Sequence, residues 1–344
     1  MQIKVWHFDL PLRHTFTISR GSIDVQPTLI VELIQDGHRG YGEATTNSYY
    51  GVTLNSLTES ITACRGIIES FEMGDPQELF DLLAVDLDHH RFALCALDQA
   101  AHDLWGKLHN RPVYDLWGLK PDQIPLSNYT VGIDSVDKMI SKMQEFADWP
   151  IFKIKLGTDR DLEIIRQLRQ ETEAVFRVDA NCGWGADEAI ANSIELETLG
   201  VELIEQPLPA DQWEPMRNVR RDSRLPVFAD ESCQRPEDVA RCDGFFHGVN
   251  IKLVKCGGLT PARRMILEAR KRGLKVMVGC MTESSVGISA IAQLLPLLDA
   301  VDMDGAVLLA EDIADGVALE RGQCRFSDRP GCGVELIKEG RQLI

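Results

Sequence analysis

Ile151-Phe-Lys153-Ile-Lys155-Leu156 is a short apolar run that ends on ionisable groups, and the same arrangement returns at near-constant intervals through the rest of the chain. Asp179 closes Val175 to Asp179, Glu205 closes Val201 to Glu205, Asp230 closes Pro226 to Asp230, and Lys255 follows Gly248 to Leu253. From Lys155 onward the spacings are 24, 26, 25 and 25 residues. Each interval is long enough for one strand, one helix and two turns. Three further runs, Ile124 to Ile133, Lys275 to Gly279 and Ala300 to Asp304, bring the total to eight. Strand and helix in alternation imply parallel strands with right-handed crossovers, and eight units close a barrel. The carboxyl ends of such strands form one mouth, where the five charges meet. Solvated loop residues would show no such register.

Outward from the barrel, residues 1–120 read as an α+β capping domain. Ile3, Val5 and Phe8, then Phe16 and Ile18, then Leu29, Val31 and Leu33 alternate with polar residues, as half-buried antiparallel strands do. Leu94, Leu97, Ala101, Leu104 and Leu108 form one apolar stripe at helical spacing, ending at Asn110-Arg-Pro112. The barrel is expected over 121–319. Residues 320–344 are expected to return to the first domain. The fold class is therefore α/β, a modified TIM barrel (β/α)7β with an N-terminal α+β capping domain.

The chain has 344 residues, 36 of them Lys or Arg against 53 Asp or Glu, for a net charge of -17. So acidic a surface disfavours nucleic acid and anionic membrane as partners. No apolar run approaches a membrane span, no signal peptide opens the chain, and the nine cysteines are scattered without a C-x-x-C pair. A cytoplasmic protein with reduced thiols is expected; a homo-oligomer is compatible with everything here.

Position around the barrel assigns roles. Strands two and six lie half a circumference apart, so Lys155 and Lys255 face each other, with Asp179, Glu205 and Asp230 on the arc between. Three carboxylates on one arc suit Mg²⁺, one per subunit, with room for a substrate carboxylate. Lys153 shares a face of its strand with Lys155, and is read as holding that carboxylate. Crowded positive charge should lower the lysine pKa. Two amines flanking an acidified C–H bond can remove a proton from one face and return one to the other, which inverts the carbon.

In the order Lys-x-Lys, Asp, Glu, Asp, Lys, together with Gly40-Tyr-Gly-Glu43 and the helix Ala96 to Lys107, the chain resembles the muconate-lactonizing subgroup of the enolase superfamily. The resemblance implies that Asp179, Glu205 and Asp230 bind the metal while Lys155 and Lys255 are the acid-base pair. Asp302-Met303-Asp304 on strand eight is similar to the Asp-x-Asp of dipeptide epimerases, where it binds the substrate's α-ammonium. L-Ala-D/L-Glu from murein peptides is the substrate this resemblance suggests first. Other dipeptides, hydrophobic or cationic, are alternatives. Thr130 is expected beside the substrate, and Arg20, in a capping loop, is expected to meet a glutamate side chain. The same ladder also serves o-succinylbenzoate synthases and muconate cycloisomerases, whose substrates carry no ammonium; Asp302 and Asp304 argue against them. A non-catalytic barrel would have let the ladder erode.

Overall fold

A computed structural model of the chain describes residues 1–344. β1 (Gln2–Ile18), β2 (Gly21–Gln35) and β3 (His38–Thr45) form an antiparallel meander. The register of β1 on β2 slips between Pro11 and Phe16, so the outer half of this hairpin projects as a separate arm beyond the sheet. Arg341–Gln342 adds a fourth strand against Trp6 and His7, which lays the end of the chain on the first sheet.

The helix Arg91–Leu108 packs on β3. The sequence pattern foretells a single apolar stripe, yet the helix is buried almost all the way round, because it is wedged between the meander and the barrel. Its polar residues inside the wedge are therefore matched: Asp98 accepts from Thr260 N at 2.9 Å and Thr260 Oγ1 at 2.7 Å, and Asp103 accepts from Tyr41 N and Cys332 N. Glu43, near the end of β3, accepts from Ser284 N, Ser284 Oγ and Gly287 N, and so caps the barrel helix Ser285–Ala292 with a carboxylate. Meander and barrel are joined by these contacts.

Eight parallel strands build the barrel: β4 (Tyr129–Val131), β5 (Ile151–Lys155), β6 (Val175–Asp179), β7 (Val201–Glu205), β8 (Val227–Ala229), β9 (Gly248–Lys252), β10 (Lys275–Gly279) and β11 (Ala300–Asp302). A parallel bridge between Ser127 and Val301 brings the two edges together, and Arg177, inside the barrel, donates to Val301 O and to Asn128 across the same seam. Helices follow the first seven strands, and a 3-10 turn, Gly305–Leu308, follows the eighth, which is the (β/α)7β pattern.

Five strands, β4, β5, β8, β9 and β11, end earlier than the apolar runs suggest, and two of these ends bear on the site. β9 stops at Lys252, and Leu253–Cys256 is already a helical turn; β11 stops at Asp302, and Asp304 opens the 3-10 turn. All nine cysteines are free thiols, and no helix is long and apolar enough to cross a membrane.

Candidate functional site

Strand alternation turns Lys153 and Lys155 of β5, Asp179 of β6, Glu205 of β7 and Asn250 and Lys252 of β9 toward the barrel axis and its mouth. The outward residues Ile154, Val178, Ile204 and Ile251 are fully buried under the helices. Polar side chains can be this deep because each has a partner. Lys153 Nζ lies 2.7 Å from Glu205 Oε2, 2.7 Å from Asp302 Oδ2 and 3.3 Å from Asp179 Oδ2. Lys155 Nζ is 2.7 Å from Asp179 Oδ2, and Lys252 Nζ is 2.9 Å from Asp230 Oδ2.

Asp179, Glu205 and Asp230 come together as the ladder spacing requires: one oxygen of each lies within 4.8 Å of the others. Asn250 Nδ2 donates to Glu205 Oε1 at 2.7 Å. Glu205 Oε2, though close to Lys153, is out of line for a hydrogen bond, and this buried oxygen has no donor. Burial pushes Glu205 up to about 7, with Asp179 adding to the effect and Lys153 opposing it. A hard divalent cation would satisfy both the bare oxygen and the mutual repulsion, so the residues present fit Mg²⁺.

Lys255 does not stand in the fifth rung's place. Because the strand ends at Lys252, Lys255 sits in the following helical turn, behind Asp230: its ammonium bonds Asp230 Oδ1, Asp230 O at 2.6 Å and Cys233 O at 3.4 Å. It borders a small separate cavity with Tyr50 and His90, whereas Lys252 and Lys155 line the main one. Spacing alone could not distinguish two lysines three residues apart. Alternation on β9, with Asn250 and Lys252 facing inward, was the signal that could.

In the protein alone, the lysines that flank the carboxylates are shifted upward. Burial works to lower Lys153, Lys252 and Lys255, but their carboxylate neighbours outweigh it and hold all three above the ordinary lysine value. Charge pairing at about 3 Å dominates over lysine–lysine repulsion.

On the opposite wall, Asn128 Nδ2 donates to Asp302 Oδ1 at 2.7 Å, while Thr130 donates to Asp304 through its backbone N at 2.5 Å and its hydroxyl at 3.2 Å. The two carboxylates are shifted in opposite directions. Burial would raise Asp302, but Lys153 and Lys155 hold it below the usual range; Asp304 is pushed up to about 8 by burial and by repulsion from Asp302, with the Thr130 hydrogen bonds and Lys153 opposing the rise.

The mouth opens into a cavity of about 540 Å³ between barrel and meander. Lys155, Lys252, Asp230, Thr130, Asp302 and Asp304 line its floor, and the β1–β2 arm with Asn47–Tyr50 forms its roof. Arg20, at the tip of the arm, lines the cavity and pairs with Glu231 of the barrel. Sequence reading did not anticipate this partner, 211 residues away.

Comparisons agree with this architecture over the whole chain. The model described as Mandelate racemase / muconate lactonizing enzyme, N-terminal domain matches residues 1–118, and that described as Enolase C-terminal domain-like matches 136–340. An L-Ala-D/L-amino acid epimerase of Flavobacterium johnsoniae is 55% identical, over 98% of this chain and 100% of its own. An L-Ala-D/L-Glu epimerase of Bacteroides thetaiotaomicron is 40% identical, over 98% and 88%. The crystal structure of a dipeptide epimerase from Cytophaga hutchinsonii, complexed with Mg and D-Ala-L-Val, superposes with a TM-score of 0.94 at 26% identity, covering 100% of this chain and 98% of that one.

Proposed function

Since the chain belongs to the mandelate racemase / muconate lactonizing enzyme family, we propose that it is a magnesium-dependent dipeptide epimerase that inverts the α-carbon of the C-terminal residue. The observation that carries this reading is the placement of Lys155 and Lys252 in the wall of one cavity, on strands four places apart in an eight-stranded barrel. Three clustered carboxylates lie between them.

Asp179, Glu205 and Asp230 are the residues that would hold Mg²⁺. When bound, it supplies positive charge beside a substrate carboxylate whose negative charge grows as the α-proton leaves. Lys153, in contact with Glu205 and Asp302, adds fixed positive charge on the same side. Lys155 Nζ and Lys252 Nζ then share the proton work: the neutral amine on one face takes the α-proton, and the ammonium on the other returns one. Lys255, bonded to Asp230, is a positioning residue for that carboxylate.

Asp302 and Asp304 are assigned to the α-ammonium of the N-terminal residue, with Thr130 orienting Asp304. That assignment favours a free dipeptide over an N-acylated amino acid or a cycloisomerase substrate. The dipeptides in the names of the relatives given above all begin with alanine, and L-Ala-D/L-Glu, a murein component, is the first substrate to try. A chain rich in free thiols fits the reducing cytoplasm.

The test is incubation with L-Ala-L-Glu and Mg²⁺ in D₂O. Deuterium at the C-terminal α-carbon together with the appearance of the D isomer, both stopped by EDTA, is the expected result. Exchange on N-succinyl amino acids but on no free dipeptide would sink the assignment.

A further inference from the structure

Arg20 reaches from the tip of the β1–β2 arm to the barrel mouth, where its Nη2 donates to Glu231 Oε1 at 2.6 Å. The same nitrogen approaches Asn181 O at 3.4 Å and Cys182 Sγ at 3.6 Å, and the guanidinium lies 4.0 Å over the ring of Tyr49. Nε and Nη1 have no partner in the protein. Glu231, the residue after Asp230, is 2% exposed in its side chain, and its Oε2 is buried without a donor. Arg20 and Glu231 both line the cavity, beside Ile18, Ile23 and Tyr49 of the roof. The roof sets apolar surface from Ile18, Ile23 and Val25 beside the neutral polar Ser22, Gln26 and Asn47, and its one cation already holds an anion.

We infer that Arg20 and Glu231 act together to set side-chain specificity at the inverted residue, the free edge of Arg20 offering hydrogen bonds while Glu231 cancels its charge. This inference rests on the epimerase reading. A lone guanidinium a few ångströms from the substrate would favour a carboxylate over its amide isostere by Coulombic attraction alone. With a carboxylate 2.6 Å from Nη2, the substrate faces a dipole, whose field falls off faster than that of a charge. Both an anionic and a neutral polar side chain can accept from Nε and Nη1, and Ile18 and Ile23 of the roof offer apolar surface to the aliphatic stem of either. The class of substrate is therefore a dipeptide whose C-terminal side chain is neutral or anionic, with little preference between them; a cationic side chain meets the donors of Arg20, while the Glu231 carboxylate is buried.

The quantity to measure is the ratio of kcat/KM for L-Ala-L-Glu to that for L-Ala-L-Gln, two substrates alike in shape and different in charge. General damage to folding or to the neighbouring Asp230 affects both and cancels. The ratio is expected to lie within about threefold of unity for the unaltered enzyme, to rise about tenfold in Glu231→Gln, where Arg20 regains its charge, and to fall about tenfold in Arg20→Met, where Glu231 is left facing the substrate. The inference is overturned by a ratio above about thirty in the unaltered enzyme, or by a ratio that either variant leaves unchanged within twofold, as a purely structural latch would. Calorimetric binding of the same two dipeptides in the presence of Mg²⁺ reads the same ratio without turnover. A protein that binds both dipeptides with the expected ratio and exchanges the α-proton of neither would overturn the epimerase reading and uphold the pair.

Discussion

Lys252 and Lys155 look into one cavity from strands half a barrel apart, each held by a different carboxylate, Asp230 at 2.9 Å and Asp179 at 2.7 Å. If each serves one face of the substrate, removing either should leave half a reaction. Lys252→Met and Lys155→Met are each expected to lower epimerisation by at least about a thousandfold, within the range that general acid–base groups contribute. In D₂O, however, one variant should still exchange the α-proton of one isomer of L-Ala-Glu, and the other variant that of the opposite isomer. Lys255→Met is expected to retain exchange on both isomers and to require more Mg²⁺, because Lys255 bonds Asp230 from behind. Mass-spectrometric exchange on separated isomers decides; full loss of exchange in Lys255→Met with Lys252→Met unaffected would restore the assignment drawn from spacing.

If Glu205 is one of the metal ligands, metal binding should be sensitive to pH. Its carboxyl, pushed up from 4.5 to about 7, keeps its proton in the folded protein where the unfolded chain has lost it. Stability that this group contributes at low pH is therefore lost as pH rises from about 4.5 through about 7, and cation binding replaces it. Calorimetry in buffers of different ionisation enthalpy should find Mg²⁺ binding releasing a proton at pH 6 and almost none at pH 8.5 on account of this group. The rise in Tm on adding Mg²⁺ should grow over the same interval. Equal proton release at both pH values would contradict the ligand role of Glu205.

The Asp302 and Asp304 pair should distinguish a free amine from a blocked one. Asp304→Asn and Asp302→Asn are each expected to lower kcat/KM for L-Ala-L-Glu by about a hundredfold, as loss of one partner of a buried charge contact does. N-acetyl-L-Ala-L-Glu, lacking the ammonium, should be a poor substrate of the unaltered enzyme and should lose less than about threefold further in Asp304→Asn. Steady-state kinetics on the two substrates check this, and an equal loss on both would remove the pair from ammonium recognition.

The barrel was legible in the sequence because each strand–helix unit repeats at about 25 residues and its charged end cannot be mistaken for buried apolar packing. The three carboxylates follow from that periodicity alone. Lys252 did not, since register is lost wherever a strand gives way to a helix, and Leu253 begins that helix two residues before Lys255. The pairing of Arg20 with Glu231 was beyond reach for a different reason. It joins two loops through the packing of meander on barrel, and no local propensity encodes a contact between them. The helix Arg91–Leu108 lies between these cases: its stripe is visible, while the burial of its other faces comes from the barrel beside it.

That packing also explains Gly40 and Gly42, which sequence reading could treat only as part of a recognisable segment. On β3 they face the helix Arg91–Leu108 at backbone distance: a Cβ on Gly42 would stand 2.0 Å from Ala96 O and 2.6 Å from Ala100 N, and one on Gly40 would stand 2.3 Å from Ala100 O. Neither has the positive φ that strains other residues, so the need for glycine here is purely one of approach. Because the obstructing atoms are helix backbone, they can yield only by moving the helix, which also carries Asp98 and Asp103 into their bonds with Thr260 and Tyr41. Gly42→Ala is therefore expected to cost about 3 kcal/mol or more of stability, at the upper end of overpacking effects. Gly118→Ala provides the contrast: its φ of +73° carries strain, but no atom lies within 4 Å of the new Cβ, and a loss of about 1 kcal/mol is expected. Chemical denaturation of the two variants would reveal the difference, and a Gly42→Ala protein as stable as the parent would refute the close approach of β3 to this helix.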